Sequence, residues 1–351
     1  MKNATRIVFN AYTAHLAEIN GAPAGTAAFA VSPTVEQTLT DRIQESADFL
    51  KQINMPLVEQ QSAEVLGMGT SGPVAGRTDT DKADRQPRSV TDLEKHTYLC
   101  QQTNFDTYTT YDQLDTWAKF PDFQTRMRNH VTQQVARDRL MIGWNGTSIA
   151  TDTDPVKNPL LQDVNKGWLQ HIRENAAERV ISGIKIGTAS GSHYRSLDAA
   201  VYDAANSLLE PWYREDPDIV VILGRALLTD KYLALLNSAS LDAPTEKQAL
   251  ATLILNKTLG GKAAEAVPFF PDDALLITKP KNLSIYTQSG TVRRTIVDKP
   301  ERNRVVDYLS MNEDYVIEDY GACAVIEKIE LTDGAAASGS TGTTGGGTSA
   351  G

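Results

Sequence analysis

Hydrophobic positions along this chain follow a helical rhythm in its first half and an extended one near its end. Residues 1–28 are mostly small and polar, with one amphipathic patch of Ile7, Phe9, Tyr12, Leu16 and Ile19. Ser32-Pro33 then reads as an N-cap followed by proline at the first helical position. Val35, Leu39, Ile43, Phe49 or Leu50, and Ile53 continue at helical spacing, and the helix is expected to end before Pro56. The Thr, Tyr and Phe content of residues 98–111 predicts a strand. Pro121 and Asp122 open a long helix, with a carboxylate at its positive end. Phe123, Met127, Val131 and Val135 line one face; Arg126, Arg128, Arg137 and Arg139 fall mostly elsewhere. Gly143 and Asn145-Gly146 stop it, giving a rod roughly 33 Å long.

A second helix is expected around Trp168, Leu169 and Ile172, and a third after a Ser196 cap, with Leu197, Val201, Ala204 and Leu208 on one face. Residues 218–223 read as a short buried strand, and Arg225 to Asn237 as helix. This alternation suggests an α/β module. From Ala274 strands dominate: 274–278, then 283–287 and 292–297 as a hairpin around Ser289-Gly290, then the pieces from Arg304 to Leu331. Between the first helix and the 98–111 strand lies a polar excursion, 64–90, rich in glycine and in Arg77, Asp79, Asp81, Asp84, Arg85 and Arg88. Loops this long are usually functional or mobile. After Asp333 the chain holds only Gly, Ala, Ser and Thr, which cannot bury a core, so 334–351 is expected to be disordered. The fold class is α+β.

Composition narrows the picture slightly. The chain has 351 residues, a net charge of −10 and 41% hydrophobic residues. It has no apolar run of the roughly 20 residues needed to cross a bilayer, and no basic run suited to gripping duplex DNA. Its two cysteines, Cys100 and Cys323, suggest no disulfide framework and fit a reducing compartment.

Candidate chemistry is thin. Gly72-Pro-Val-Ala-Gly76-Arg77-Thr78 is one residue short of a phosphate loop, has Arg where Lys is needed, and lacks the leading strand. The five histidines show no metal spacing. Asp152 and Asp154, or Asp79 and Asp81, do not continue into a calcium loop. Residues 210–218 cluster acids with aromatics, but Pro211 and Pro217 make the segment a stiff connector. Catalytic, cofactor and metal residues are therefore assigned as none. Three projections from one core (arm, excursion, tail) suit an assembly subunit.

The ordered blocks carry a family resemblance. They include FNAY and AEING at 9–21, IQESADFLKQIN to 54, and GMGTSGPVAGRTDT at 67–80. YLCQQTNFDTY, LDTWAKFPDFQTRMRN, NPLLQDVNKGWLQ at 158–170, EPWYREDPDIVVILGRALLTDKY at 210–232 and SMNEDYVIEDY follow. The chain resembles the major capsid proteins of peduovirus-type tailed bacteriophages from Arg6 to about Leu331. The resemblance implies a Hong Kong ninety-seven-type capsid fold. Residues 1–57 would be the N-terminal arm and 58–108 the extended E-loop. Residues 109–194 would be a peripheral domain with its spine helix at 121–143, 195–280 the axial domain, and 281–333 the returning peripheral strands.

It also implies pentamers and hexamers in an icosahedral shell assembled in the bacterial host cytoplasm. The implied partners are an internal scaffold that doubles as maturation protease, a portal protein and packaged DNA held without sequence reading. No cofactor and no membrane are expected. Proteolysis in the family removes an N-terminal piece just before the segment matching Phe29-Ala-Val-Ser-Pro33, which makes Phe29, Ala30 and Val31 the candidate processing junction. The stretch 22–28 is Ala/Gly-rich and shorter than the family pattern, which leaves the bond open. Arg77, Asp79, Asp81, Arg85 and Arg88 are the candidate intersubunit contacts. The competing readings are a phosphate- or metal-dependent enzyme using Asp216 and Asp218, and a tail or baseplate protein.

Overall fold

The computed structural model describes residues 1–20, 28–31, 33–66, 69–70, 75, 77–82, 84–85, 91–92, 95–117, 123–229 and 257–332. The expectations for Ser32, Arg88, Pro121, Asp122, the end of the 225–237 helix and the 334–351 tail lie outside these residues. The chain opens with helix α1 (Asn3–Ile19), strand β1 (Ala28–Ala30) and helix α2 (Pro33–Glu45). Strand β2 (Leu57–Val58) leads to β3 (Ser62–Leu66), β4 (Gly69–Thr70), β5 (Thr91–Asp92) and β6 (Lys95–Leu99). Then come β7 (Gln101–Asn104), β8 (Thr107–Thr110), α3 (Tyr111–Trp117) and the long helix α4 (Phe123–Asn145). After α5 (Trp168–Asn175) follow β9 (Val180–Ser182), β10 (Lys185–Ile186), α6 (Leu197–Leu208) and β11 (Val220–Leu223). Residues 225–229 are helical. The chain continues with β12 (Thr258–Leu259), β13 (Lys262–Ala266), β14 (Leu275–Thr278), β15 (Leu283–Gln288) and β16 (Arg293–Lys299). It ends in β17 (Arg304–Ile317), β18 (Ala324–Glu327) and β19 (Glu330–Leu331).

Strand β17 organises the first sheet, which has seven strands. One edge of β17 pairs antiparallel with β16 and then β15; the other pairs with β8 and then β7. Ser289-Gly290 is therefore not a hairpin turn, contrary to the sequence expectation. It is a short excursion between two strands that run in line along one partner. The excursion is held in place by Glu36, whose carboxylate accepts from the Gly290 amide at 2.9 Å, and by Asn312, whose amide reaches Thr291 Oγ1 at 3.2 Å. The hairpin lies one step later, between β16 and β17, where Asn303 adopts the left-handed conformation (φ 49°).

Two helices also differ from expectation. The 98–111 segment is not one strand: it breaks at Cys100 and at Phe105-Asp106, and Tyr111 begins α3. Thr110 and Gln113 exchange bonds there, the Gln113 side chain accepting from the Thr110 amide at 3.1 Å and the Thr110 hydroxyl from the Gln113 amide at 3.4 Å. That is a capping box, which starts a helix where strand propensity alone would continue the strand. Helix α2 stops at Glu45 rather than near Ile53. The Gln44 side chain donates to Leu50 O and Ile53 O, satisfying an irregular turn that still buries Phe49, Leu50 and Ile53.

Helix α4 packs between α2 and α5. A Cβ on Gly143 would sit 2.3 Å from the Trp168 ring, so glycine is what lets α5 approach. Trp144 and Trp168 meet edge to face at 4.7 Å, and Phe270 and Tyr315 extend the stack. Arg139 is fully buried and pairs with the equally buried Glu313 of β17, whereas the spacing had put it outside the apolar face.

The second sheet runs β12-β13-β11-β14-β18-β9, with β13–β11 and β18–β9 parallel and the other pairs antiparallel. Helix α6 lies against it, capped as expected by Ser196, whose hydroxyl accepts from the Ala199 amide at 3.2 Å. Strands β9 and β18 come from outside the 195–280 segment.

Candidate assembly site

Three features built from the first 110 residues lie at the margins of the fold. The first is a ribbon in which β3 pairs with β6 and, further out, β4 pairs with β5. Its root is fixed. Asp314 of β17 accepts from the Leu99 amide at 2.8 Å, and the Cys100 amide reaches Gln61 O at 2.8 Å. Val65, Tyr98 and Cys100 bury a small cluster with Val316, and the Tyr98 ring meets Tyr286 at 5.0 Å. A cavity of about 120 Å³ lies beneath this root, lined in part by His96, His171, Asp314 and Tyr320. His171 Nε2 is 3.8 Å from Asp314 Oδ1.

Beyond the root the ribbon is polar. Arg77, Asp79, Asp81 and Arg85 are exposed, Asp79 pairs with Lys82 at 3.0 Å, and Asp79 Oδ1 accepts from the Asp81 amide at 3.2 Å. Its described side chains form an exposed mixed-charge surface. Arg88 lies outside the described residues.

The second surface is the docked arm. Phe9 and Tyr12 of α1 bury against Leu114, Ile296 and Val305. Polar bonds fix the helix: the Lys2 amide to Asp115 at 2.9 Å, Arg6 to Asp298 at 3.2 Å, and Arg294 to the Tyr12 hydroxyl at 3.3 Å. Arg294 is itself held in a two-pronged pair by Asp307.

The third surface contains the candidate junction. Strand β1 forms one end of the first sheet, with Ala28 opposite Thr295, Phe29 opposite Arg294 and Ala30 opposite Arg293. Val31 then donates its amide to Val292 O at 3.0 Å and is buried. So Phe29 and Ala30 lie on an edge strand, while Val31 belongs to the core.

Among the residues weighed for catalysis or calcium, Asp216 and Asp154 make local structural bonds. Asp216 pairs with Lys279, which holds its carboxyl below the usual range, and Asp216 Oδ1 accepts from the Asp218 amide. Asp154 caps a turn through the amides of Val156 and Lys157. Burial pushes both thiols up to about 12, with Asp314 adding to the effect at Cys100, so neither is poised as a nucleophile. Among the described residues no cluster of His, Cys, Asp and Glu could hold a metal, and no helix is long and apolar enough to cross a membrane. Most of the Gly72–Thr78 loop lies outside the described residues.

Residues 8–329 match the family model described as "Phage major capsid protein, P2 family". The chain is 44% identical over 346 residues to the "Capsid proteins" of Escherichia phage P2, covering 95% of this chain and 96% of that one. It is 42% identical over 339 residues to the "Major capsid protein" of Serratia phage KSP20, covering 94% and 97%. Among solved structures it superposes on a chain of the satellite phage P4 procapsid that includes the size determination (Sid) protein. There the TM-score is 0.78 at 43% identity, over 95% of this chain and 99% of that one. A capsid chain of an empty GTA particle shares the fold at 15% identity, with a TM-score of 0.51 over 81% of this chain and 90% of that one.

Proposed function

Because this chain belongs to the P2 family of phage major capsid proteins, with their Hong Kong ninety-seven-type fold, we propose how its parts build the shell. Copies assemble in the host cytoplasm as pentamers and hexamers around an internal scaffold that doubles as maturation protease. The closed head has a portal protein and encloses double-stranded DNA without reading its sequence. The ribbon is the E-loop, α4 the spine helix, and the second sheet with α6 the axial domain that meets its neighbours around capsomer centres.

The observation that carries this reading is the ribbon. It is anchored at its root and exposed beyond it, with Arg77, Asp79, Asp81 and Arg85 at the surface. Such a strap adds contact to a neighbouring copy without altering the core that makes it. Each exposed ion pair is worth only about 0–1 kcal/mol, but a shell repeats the contact many times. Reversing Arg77 and Arg85 to Glu should leave the subunit's melting temperature unchanged. It should impair shell closure in electron micrographs and change its salt dependence. Shells as robust as wild type, with the same salt response, would remove the support for the strap.

The processing junction is supported by the edge position of β1. Proteases take their substrates as extended chain, and β1 is already extended at the rim of a sheet. A cut ahead of Val31 leaves the Val31–Val292 bond and the core intact. Mass analysis of intact protein from virions should find a chain beginning near Ala30. Full retention of residues 1–28 would sink this part.

A further inference from the structure

The turn between α6 and β11 is clamped far more firmly than a connector requires. The Glu210 amide donates to Gly321 O at 3.1 Å, and its carboxylate accepts from Arg179 at 2.6 Å. The Tyr213 hydroxyl donates to Asp319 at 2.5 Å, with Lys279 Nζ 4.8 Å above the ring. Lys262 Nζ donates to the carbonyls of Arg214 at 2.7 Å and Asp216 at 3.2 Å. The Arg214 side chain donates to Leu209 O at 3.0 Å. Pro211 and Pro217 stiffen the backbone further.

Within this frame sits Trp212. Its side chain is not part of either core: the residue is 53% exposed, where Trp144 is 1% and Trp168 is 0% exposed. Its ring meets the neighbouring Tyr213 ring at 6.1 Å. A large apolar side chain in water, on a backbone held by bonds to distant parts of the chain, spares association the cost of ordering that backbone. Tryptophan is also the residue type most enriched among the few that dominate interface energies.

We propose that Trp212 is an intersubunit anchor: it inserts into a neighbouring copy of this chain in the shell. This rests on the shell reading above. A second copy is the occupant because members of the family form closed particles, where each copy meets others through unlike surfaces. The flanking charges agree. Glu215 and Asp218 are exposed beside the tryptophan, and the same half of the chain presents exposed Arg195 and Lys257, so a head-to-tail contact can pair acid with base.

The test compares free subunits with assembled shells of the full chain, using tryptophan emission and acrylamide quenching. Assembly should shift wild-type emission to the blue and cut the quenching, and the change should be absent from Trp212→Phe. A second variant, Trp212→Arg, should keep the wild-type melting temperature as a subunit. It should lower shell yield about tenfold at matched concentration. Wild-type shells in which the emission stays as quenchable as in free subunits would overturn the anchor while leaving the shell reading intact. So would a Trp212→Arg variant with normal yield. A wild-type chain that formed no shells with its scaffold would instead overturn the shell reading itself.

Discussion

The two large buried clusters of this protein are packed by different means: one draws side chains from both sheets, the other from the second sheet and α6. The first holds, among many aliphatic side chains, an aromatic stack in which Phe49, Trp144, Trp168, Phe270 and Tyr315 meet edge on or tilted. The Trp168 indole donates to Ser284 O at 3.0 Å, and Arg139 is buried against Glu313. The second cluster buries aliphatic side chains, from Ile184 and Ile186 through Leu197, Val221, Leu275 and Ile277 to Ile329, with Tyr194 and Tyr213 packed at its margin. Aromatic edges and charged bonds fix angles, whereas aliphatic contacts fix mainly volume. The first core should therefore break sharply when a partner is removed. The second should yield gradually and tolerate repacking.

The largest effect is expected at the buried Arg139–Glu313 ion pair. Arg139→Met strands a buried carboxylate and should destabilise free subunits by about 3–5 kcal/mol in urea unfolding. The double change Arg139→Met with Glu313→Leu should recover most of that loss. Among the described residues Arg139 Nη1, Glu313 Oε2 and Tyr315 OH are buried without hydrogen-bond partners, so the native arrangement is itself imperfectly satisfied. A double variant as unstable as the single one would show that the pair is worth keeping in energetic terms.

Next comes packing against the aromatic stack. Gly143→Ala drives a methyl into the Trp168 ring and should cost about 1–3 kcal/mol. The better helix propensity of alanine offsets up to about 1 kcal/mol of it. Differential scanning calorimetry of the subunit reads the result; a rise in melting temperature would mean α4 and α5 can separate freely. In the aliphatic core, Ile277→Val should cost only about 0.5–1.5 kcal/mol, read by the same urea titration. A loss as large as that from Arg139→Met would erase the distinction between the cores.

The smallest effect is a matter of pH. Burial raises the Glu36 carboxyl above its ordinary 4.5, against the Gly290 amide that favours the charged form. Folding therefore takes up a proton in the window above 4.5. The cost of burying the charge is felt at neutral pH and relieved as pH falls through the raised value. Glu36→Gln should lose this dependence, so any advantage over wild type at pH 7 should fade toward pH 4.5. Melting temperatures across that range check it, and a widening gap on acidification would reverse the sign.

Much of the fold was legible in local patterns. The long helix, the Ser196 cap and the run Val220–Leu223 are each specified within a few residues, by periodicity or by a single hydroxyl. The start of α3 was also legible, in Thr110-Tyr-Asp-Gln113, but the β-rich residues before it masked the capping pair. Arg139 was not legible, because helical spacing marks charged residues as outward unless their partner is known. Its partner lies 174 positions away.

The sequence alone determined the family, the mixed fold class and the charged composition of the ribbon, since these depend on residue types and their local order. Tertiary structure decided which strands share a sheet. Strand β17 takes two partners in line along each edge, and the second sheet gathers β9 and β18 from flanking segments. Local propensity can state that a segment is extended. Which edge it joins depends on hydrogen-bond partners and buried area contributed by residues far along the chain.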